Sequence, residues 1–126
     1  MRYFVFLLSV TFVFISNELG ASERGFSAET RRNAAHDTLI KMDLDARNRK
    51  LAETLRKSGK LCTNGIKTFF QGFDSSAKSY WNVRCRQGDY LLLFPVSKYD
   101  GIGIVGCDVV EKAGYPCFAR NDQLDY

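Results

Sequence analysis

The sequence predicts an α+β domain in which an N-terminal amphipathic helix packs on a four-stranded antiparallel meander, held by two disulfides. Three observations predict it. Residues 27–60 contain no proline and are rich in Ala, Leu, Arg, Lys and Glu, which favour helix. After Cys62 the apolar period falls to that of strands, broken by short turns. Four cysteines, an even set, follow an N-terminus that reads as an export signal. At 126 residues, 45% apolar and 25% charged, the chain suits one globular domain, not a multidomain enzyme or a disordered segment.

Residues 3–15 carry no charge, Arg2 precedes them, and the polar Ser16-Asn17-Glu18 follows. Gly20-Ala21-Ser22 supplies the small side chains of a cleavage site after Ser22 or Ala21. As a helix the apolar run spans roughly 20 Å, short of the ~30 Å hydrocarbon core, which favours a cleaved signal over an uncleaved membrane anchor. The expected division is a signal peptide at 1–22, one α+β domain at 23–120 and a polar tail at 121–126. The expected location is periplasmic or secreted.

The cysteines agree. Cys62, Cys85, Cys107 and Cys117 are 23, 22 and 10 residues apart. Zinc sites, haem attachment and thiol exchange all need close pairs, so no metal or cofactor is expected. Two disulfides are expected instead, because exported chains meet an oxidising compartment. Pairing in sequence order, 62–85 and 107–117, is geometrically easy. A Cys85–Cys107 bridge would cross two strand spacings, about 9.6 Å, and needs a curled sheet end.

The helix begins at Ser27 as N-cap, with Glu29 in its first turn, and stops at Gly59. Its apolar positions form two stripes. One is Ala35, Leu39, Met42 and Ala46; the other is Ile40, Leu44, Leu51 and Leu55. One kinked helix, or a break near Asp43–Asp45, produces such a pattern, and the single helix is the favoured reading.

Strands follow at 66–73, 79–86, 89–96 and 102–110, with turns at Asp74–Ala77, Gln87-Gly88 and Tyr99–Gly101, and a loop at Lys112–Pro116. A turn centred on Gln87-Gly88 sets Cys85 opposite Tyr90, Val83 opposite Leu92 and Trp81 opposite Phe94, on the face under the helix. The outer face then holds Arg86 with Asp89, Arg84 with Leu91 and Asn82 with Leu93. Leu91 and Leu93 are more apolar than a solvated face requires. Either the C-terminal segment with Tyr115, Pro116 and Phe118 covers them, or Tyr80, Arg84, Leu91 and Leu93 form a partner or dimer surface.

The net charge of +4 is unevenly placed. Residues 31–60 hold nine Lys and Arg against four Asp and Glu, while residues 61–126 hold seven of each. Arg47, Arg49, Lys50, Arg56 and Lys57 are the candidate anion-binding residues, suited to a membrane or polysaccharide surface, with an ordinary solvated helix face as the alternative. Export argues against nucleic acid. No catalytic residue is assigned. His36, the single histidine, reads as a surface or half-buried helical side chain without a nucleophile beside it. The glycines of 101–106 read as strand, not as a phosphate loop.

Tyr80-Trp81-Asn82-Val83-Arg84-Cys85, followed by Gly88, Tyr90, Val105 and Cys107, resembles a pattern in small exported bacterial cysteine-containing proteins of uncharacterised function. The resemblance implies export and disulfides, not chemistry. The helix-plus-meander outline is also similar to PepSY-like modules, which implies peptidase inhibition or periplasmic interaction; Gln71–Ser75 does not match a cystatin-type inhibitor loop. The expectation is a non-enzymatic interaction module with a protein partner in the cell envelope or outside the cell. The alternatives are an anionic-surface binder and a peptidase-inhibitor-like module.

Overall fold

A computed structural model describes residues 32–125. The export segment, Ser27 and Arg31 lie outside the described residues. Three helices, α1 (Ala34–Lys41), α2 (Leu44–Lys57) and α3 (Cys107–Lys112), accompany four strands, β1 (Gly65–Phe73), β2 (Ser79–Cys85), β3 (Gly88–Phe94) and β4 (Gly103–Gly106). The strands form one antiparallel sheet in the order β1-β2-β3-β4. Both disulfides follow sequence order, Cys62–Cys85 and Cys107–Cys117. The predicted fold class is the observed one. Among the described residues no helix is long and apolar enough to cross a membrane.

The favoured single helix is corrected to two. Met42 is extended, and the Asp43 side chain accepts from the Ala46 N–H at 2.8 Å, capping α2. Once the helix breaks, the Ala46 N–H has no intrahelical carbonyl, and the Asp43 carboxylate takes that place. Arg47 reaches back from α2 and donates to the carbonyls of Leu39 (2.9 Å) and Met42 (3.1 Å), which closes the end of α1. The break brings Leu39 of α1 and Leu51 and Leu55 of α2 into one core, while Ile40 and Leu44 of the second stripe stay exposed.

Asn33 bolts the start of α1 to the sheet. Its Oδ1 accepts from the His36 N–H, and its Nδ2 donates to Ala77 O (3.0 Å) and Phe94 O (2.8 Å). Under the helices lies the core of Leu51, Leu55, Trp81, Val83 and Leu92, with the Cys62–Cys85 bridge inside it. Burying each such apolar side chain contributes roughly 1.5–3 kcal/mol.

The β2–β3 register differs from the expectation by two residues. Cys85 pairs with Gly88, Val83 with Tyr90 and Trp81 with Leu92, so the turn is Arg86-Gln87. A shift of two preserves the faces, and Trp81, Val83 and Cys85 stay inside. Arg84, not Arg86, meets Asp89, in a two-pronged ion pair at 2.9–3.2 Å. The turn is further pinned by Gln87, whose side chain exchanges hydrogen bonds with Thr63.

The fourth strand is also corrected. It ends at Gly106, and Cys107–Lys112 is helix where strand was expected. The Val109-Val110 pair favours strand locally. The helical turn instead points Cys107 and Val110 inward, three positions apart, with Asp108 in its first turn and Lys112 in its last.

At Gly65 the start of β1 passes so close to α2 that an added Cβ would lie 2.2 Å from the Asn48 carbonyl oxygen. Neither backbone can yield cheaply. Gly65→Ala is expected to cost about 2 kcal/mol or more, within the range of overpacked sites, read as a lower urea midpoint with an unchanged slope.

His36 departs from its expected exposure. It is buried, with ring centroids 4.4 Å from Phe70, 4.5 Å from Phe73 and 5.6 Å from Trp81. Burial pushes its pKa below the ordinary 6.5; Asp37 opposes this and Arg47 adds to it. The fold therefore prefers neutral imidazole. Above pH 6.5 folded and unfolded chains are both neutral and the full stability is present. As pH falls below 6.5 the unfolded chain takes up the proton first, and stability drops until the lowered folded pKa is passed. The urea midpoint should decrease across that window in the wild type, and the decrease should shrink in His36→Phe.

Candidate functional site: the covered outer face of the sheet

Alternation along the strands sends Lys67, Phe69, Tyr80, Asn82, Arg84, Leu91, Leu93 and Val105 to the face away from α1 and α2. Helix α3 and the segment after it fold back over this face. The attachment centres on Asn82, which is fully buried. Its Oδ1 accepts from Gln71 Nε2 (2.5 Å) and from the Phe118 N–H (2.9 Å). Its Nδ2 approaches the sulfurs of Cys117 (3.3 Å) and Cys107 (3.8 Å). Gln71 Nε2 also donates to Pro116 O at 3.1 Å. Two acceptors on one side fix the Gln71 amide, and its Oε1 is buried without a partner.

The Phe118 ring lies beneath the Arg84 guanidinium (4.6 Å) and near the Lys67 ammonium (5.5 Å), within cation–π range. Further on, Asp125 exchanges both backbone hydrogen bonds with Phe73, at 2.6 and 3.0 Å. Gly72 makes that contact feasible. Its φ is +131°, and an added Cβ would lie 2.5 Å from Asp125 O and 2.8 Å from Leu124 Cβ. The predicted polar tail is thus paired to β1 at Asp125.

Between the sheet and this cover lies a cavity of about 400 Å3. Its floor and walls are Leu91, Val105, Val110, Pro116 and Leu124, with Gln71 and Tyr80 on the sheet side and Asn121 and Gln123 on the other. Val109 (55% exposed) and Tyr115 (44%) stand at its mouth. No Lys, Arg, His, Asp or Glu is among its described lining residues.

The Tyr80 hydroxyl donates to Asp74 Oδ2 at 2.8 Å. Burial, that hydrogen bond and the Asp74 charge push the tyrosine pKa up to about 12. Burial opposes ionisation of Asp74, but hydrogen bonds from Ser76, Tyr80 and the Lys78 N–H outweigh it and hold the carboxyl below its usual range. Neither group exchanges a proton near neutral pH, so the arrangement suits binding better than acid–base chemistry.

Of the predicted interaction residues, Tyr80 and Leu91 meet at this cavity. Arg84 is engaged with Asp89 and Phe118, and Leu93 lies against Gly103. The basic residues do not form one cluster of solvated charge. Arg47 closes α1 and stacks 5.3 Å from the Trp81 ring. Arg56 donates to Cys62 O and Thr63 O, and Lys57 pairs with Glu53 at 2.8 Å. Arg49 and Lys50 are exposed. The expected cover by Tyr115, Pro116 and Phe118 is in place. Sequence reasoning missed Gln71, Asn82 and α3. Strand alternation marks Asn82 as outward, and an outward polar residue reads as solvated unless something is known to cover it.

Asn82→Leu keeps the bulk but leaves the Phe118 N–H and one donor of Gln71 Nε2 without their acceptor. The expected cost is about 1–3 kcal/mol, with amide exchange accelerated at 113–121 before the rest of the sheet.

No protein-family model, curated protein or solved structure matches this chain. Among the described residues no group of three or more His, Cys, Asp or Glu is placed to hold a metal ion.

Proposed function

We propose that this protein is an exported, non-enzymatic interaction module whose binding face is the covered outer side of the sheet. The observation that carries this is the uncharged, mostly apolar cavity between β2–β4, α3 and the C-terminal segment. Apolar concave sites with a few placed polar groups are where ligands and partner side chains bind. Export is supported by the signal-like residues 1–22 and by the two disulfides, which persist in oxidising compartments. Mass spectrometry of the protein recovered outside the cytoplasm should find an N-terminus near residue 23 and no free thiol.

The binding face is tested with a photocrosslinking amino acid placed at Val109, or at the exposed Ser58 on the opposite layer, in the intact chain. Adducts to an envelope or extracellular protein are expected at Val109 and not at Ser58. No adduct at Val109, or equal adducts at both, would remove the reading. A second reading is favoured by the adjacent exposed cations Arg49 and Lys50 of α2. Binding to phosphatidylglycerol vesicles that weakens with salt and disappears in Arg49→Glu/Lys50→Glu would establish it.

A further inference from the structure

The outer-face cavity is a defined container as well as an apolar patch. Its volume of about 400 Å3 lies within the range of small-molecule sites. Its chemistry is graded. Leu91, Val105, Val110 and Leu124 supply the apolar part, while the neutral polar residues Asn121 and Gln123 line the more exposed side. An ionised ligand would find no opposite charge among the described lining residues, and leaving a charge unpaired in an apolar site is costly.

We propose that this cavity binds a neutral amphipathic small molecule, a medium-chain acyl or aryl compound with an uncharged polar head. The proposal rests on the reading of the outer face as the binding face and adds the class of ligand. The apolar body lies against Leu91 and Val105, and the head is held by the Gln123 amide, next to Asn121, whose Oδ1 accepts from the Gln123 N–H at 3.0 Å. Gln71 and Asn82 act as positioning residues, because they pin the covering wall at Pro116 and Phe118.

The test uses the full chain and the neutral fluorophore N-phenylnaphthylamine. Saturable single-site enhancement is expected. n-Decanol should displace the fluorophore at least about tenfold more effectively than decanoate at a pH where the carboxylate is ionised. Val109→Glu and Ala113→Glu change exposed positions that line the mouth, so both should fold. Each should weaken the fluorophore by about tenfold or more, since both put an unpaired charge at the site. Arg49→Glu on α2 should leave binding unchanged. Non-saturable binding, equal displacement by decanoate, or indifference to both mouth variants would overturn the proposal. Protein adducts at Val109 without fluorophore binding would preserve the binding face and remove this ligand class. Fluorophore binding without adducts would keep the ligand class and remove the protein partner.

Discussion

A protein with Cys62 and Cys85 both replaced by alanine should lose about 3–5 kcal/mol of folding stability, the largest effect expected from any single bond in this fold. The bridge joins residues 23 apart in sequence, and loop-closure entropy for such a loop is worth about 3.4 kcal/mol at room temperature. Both cysteines belong to the buried core that also holds Leu55 and Val83, so alanine adds a small cavity to the lost constraint. The contrast with the second bridge is informative. Cys107–Cys117 spans 10 residues, for which the same relation gives about 2.7 kcal/mol, and its partners belong to the cover of the outer face. Its loss should loosen residues 113–121 while leaving the helix-covered core protected. Urea unfolding of both double variants, with amide exchange mapped along the chain, checks this. A Cys62/Cys85 variant within about 1 kcal/mol of wild type would contradict it.

Trp81→Ala should cost about 3–5 kcal/mol. Trp81 is the sole tryptophan and is 1% exposed. Its ring lies 5.1 Å from that of Phe70 and 5.6 Å from that of His36, and the Arg47 guanidinium sits 5.3 Å from its centroid. Removing the indole takes away the surface on which the α1–α2 corner rests. Trp81→Phe, which retains most of the apolar body, should lose clearly less. A further consequence separates this role from generic cavity formation. Water reaching His36 relieves the burial that lowers its pKa, so the pH dependence below 6.5 should diminish in Trp81→Ala. Urea midpoints at neutral pH and about one unit below 6.5 measure both effects. An unchanged pH dependence in a folded Trp81→Ala would show that the ring does not shield the histidine.

The same two sites show how far the sequence reaches. Cys85 and Trp81 share a parity within β2, and parity survives any even error in register. The predicted inner face was therefore right although the β2–β3 turn was misplaced by two residues. The choice between one helix and two was undecidable from periodicity, because Asp43 is acceptable on a solvated helix surface and better as an N-cap. What decides it is the shared core, which Leu39 from α1 and Leu51 and Leu55 from α2 must all reach. Cys107–Lys112 is a case of tertiary override, in which a β-branched segment becomes helix because that turn buries Cys107 and Val110 together.

The candidate site divides along the same line. Leu91 and Leu93 were legible as an apolar excess on the outer face, and Tyr115, Pro116 and Phe118 as its candidate cover. The cavity between them was not legible. Its existence depends on Asn82 and Gln71 being sealed under the C-terminal segment, and a buried amide has the same letter as a solvated one.

By itself, then, the sequence determined the α+β class, the strand count, the inward residues of β2 and the disulfide framework. These follow from local period, turn chemistry and cysteine parity. The tertiary structure alone decided where the helix breaks, where β4 ends, which histidine and asparagines lose contact with water and where a cavity remains. Those depend on contacts between residues tens of positions apart, such as Asn33 with Phe94 and Asn82 with Phe118. Burial is a property of the pair of surfaces that meet, and neither surface encodes it alone.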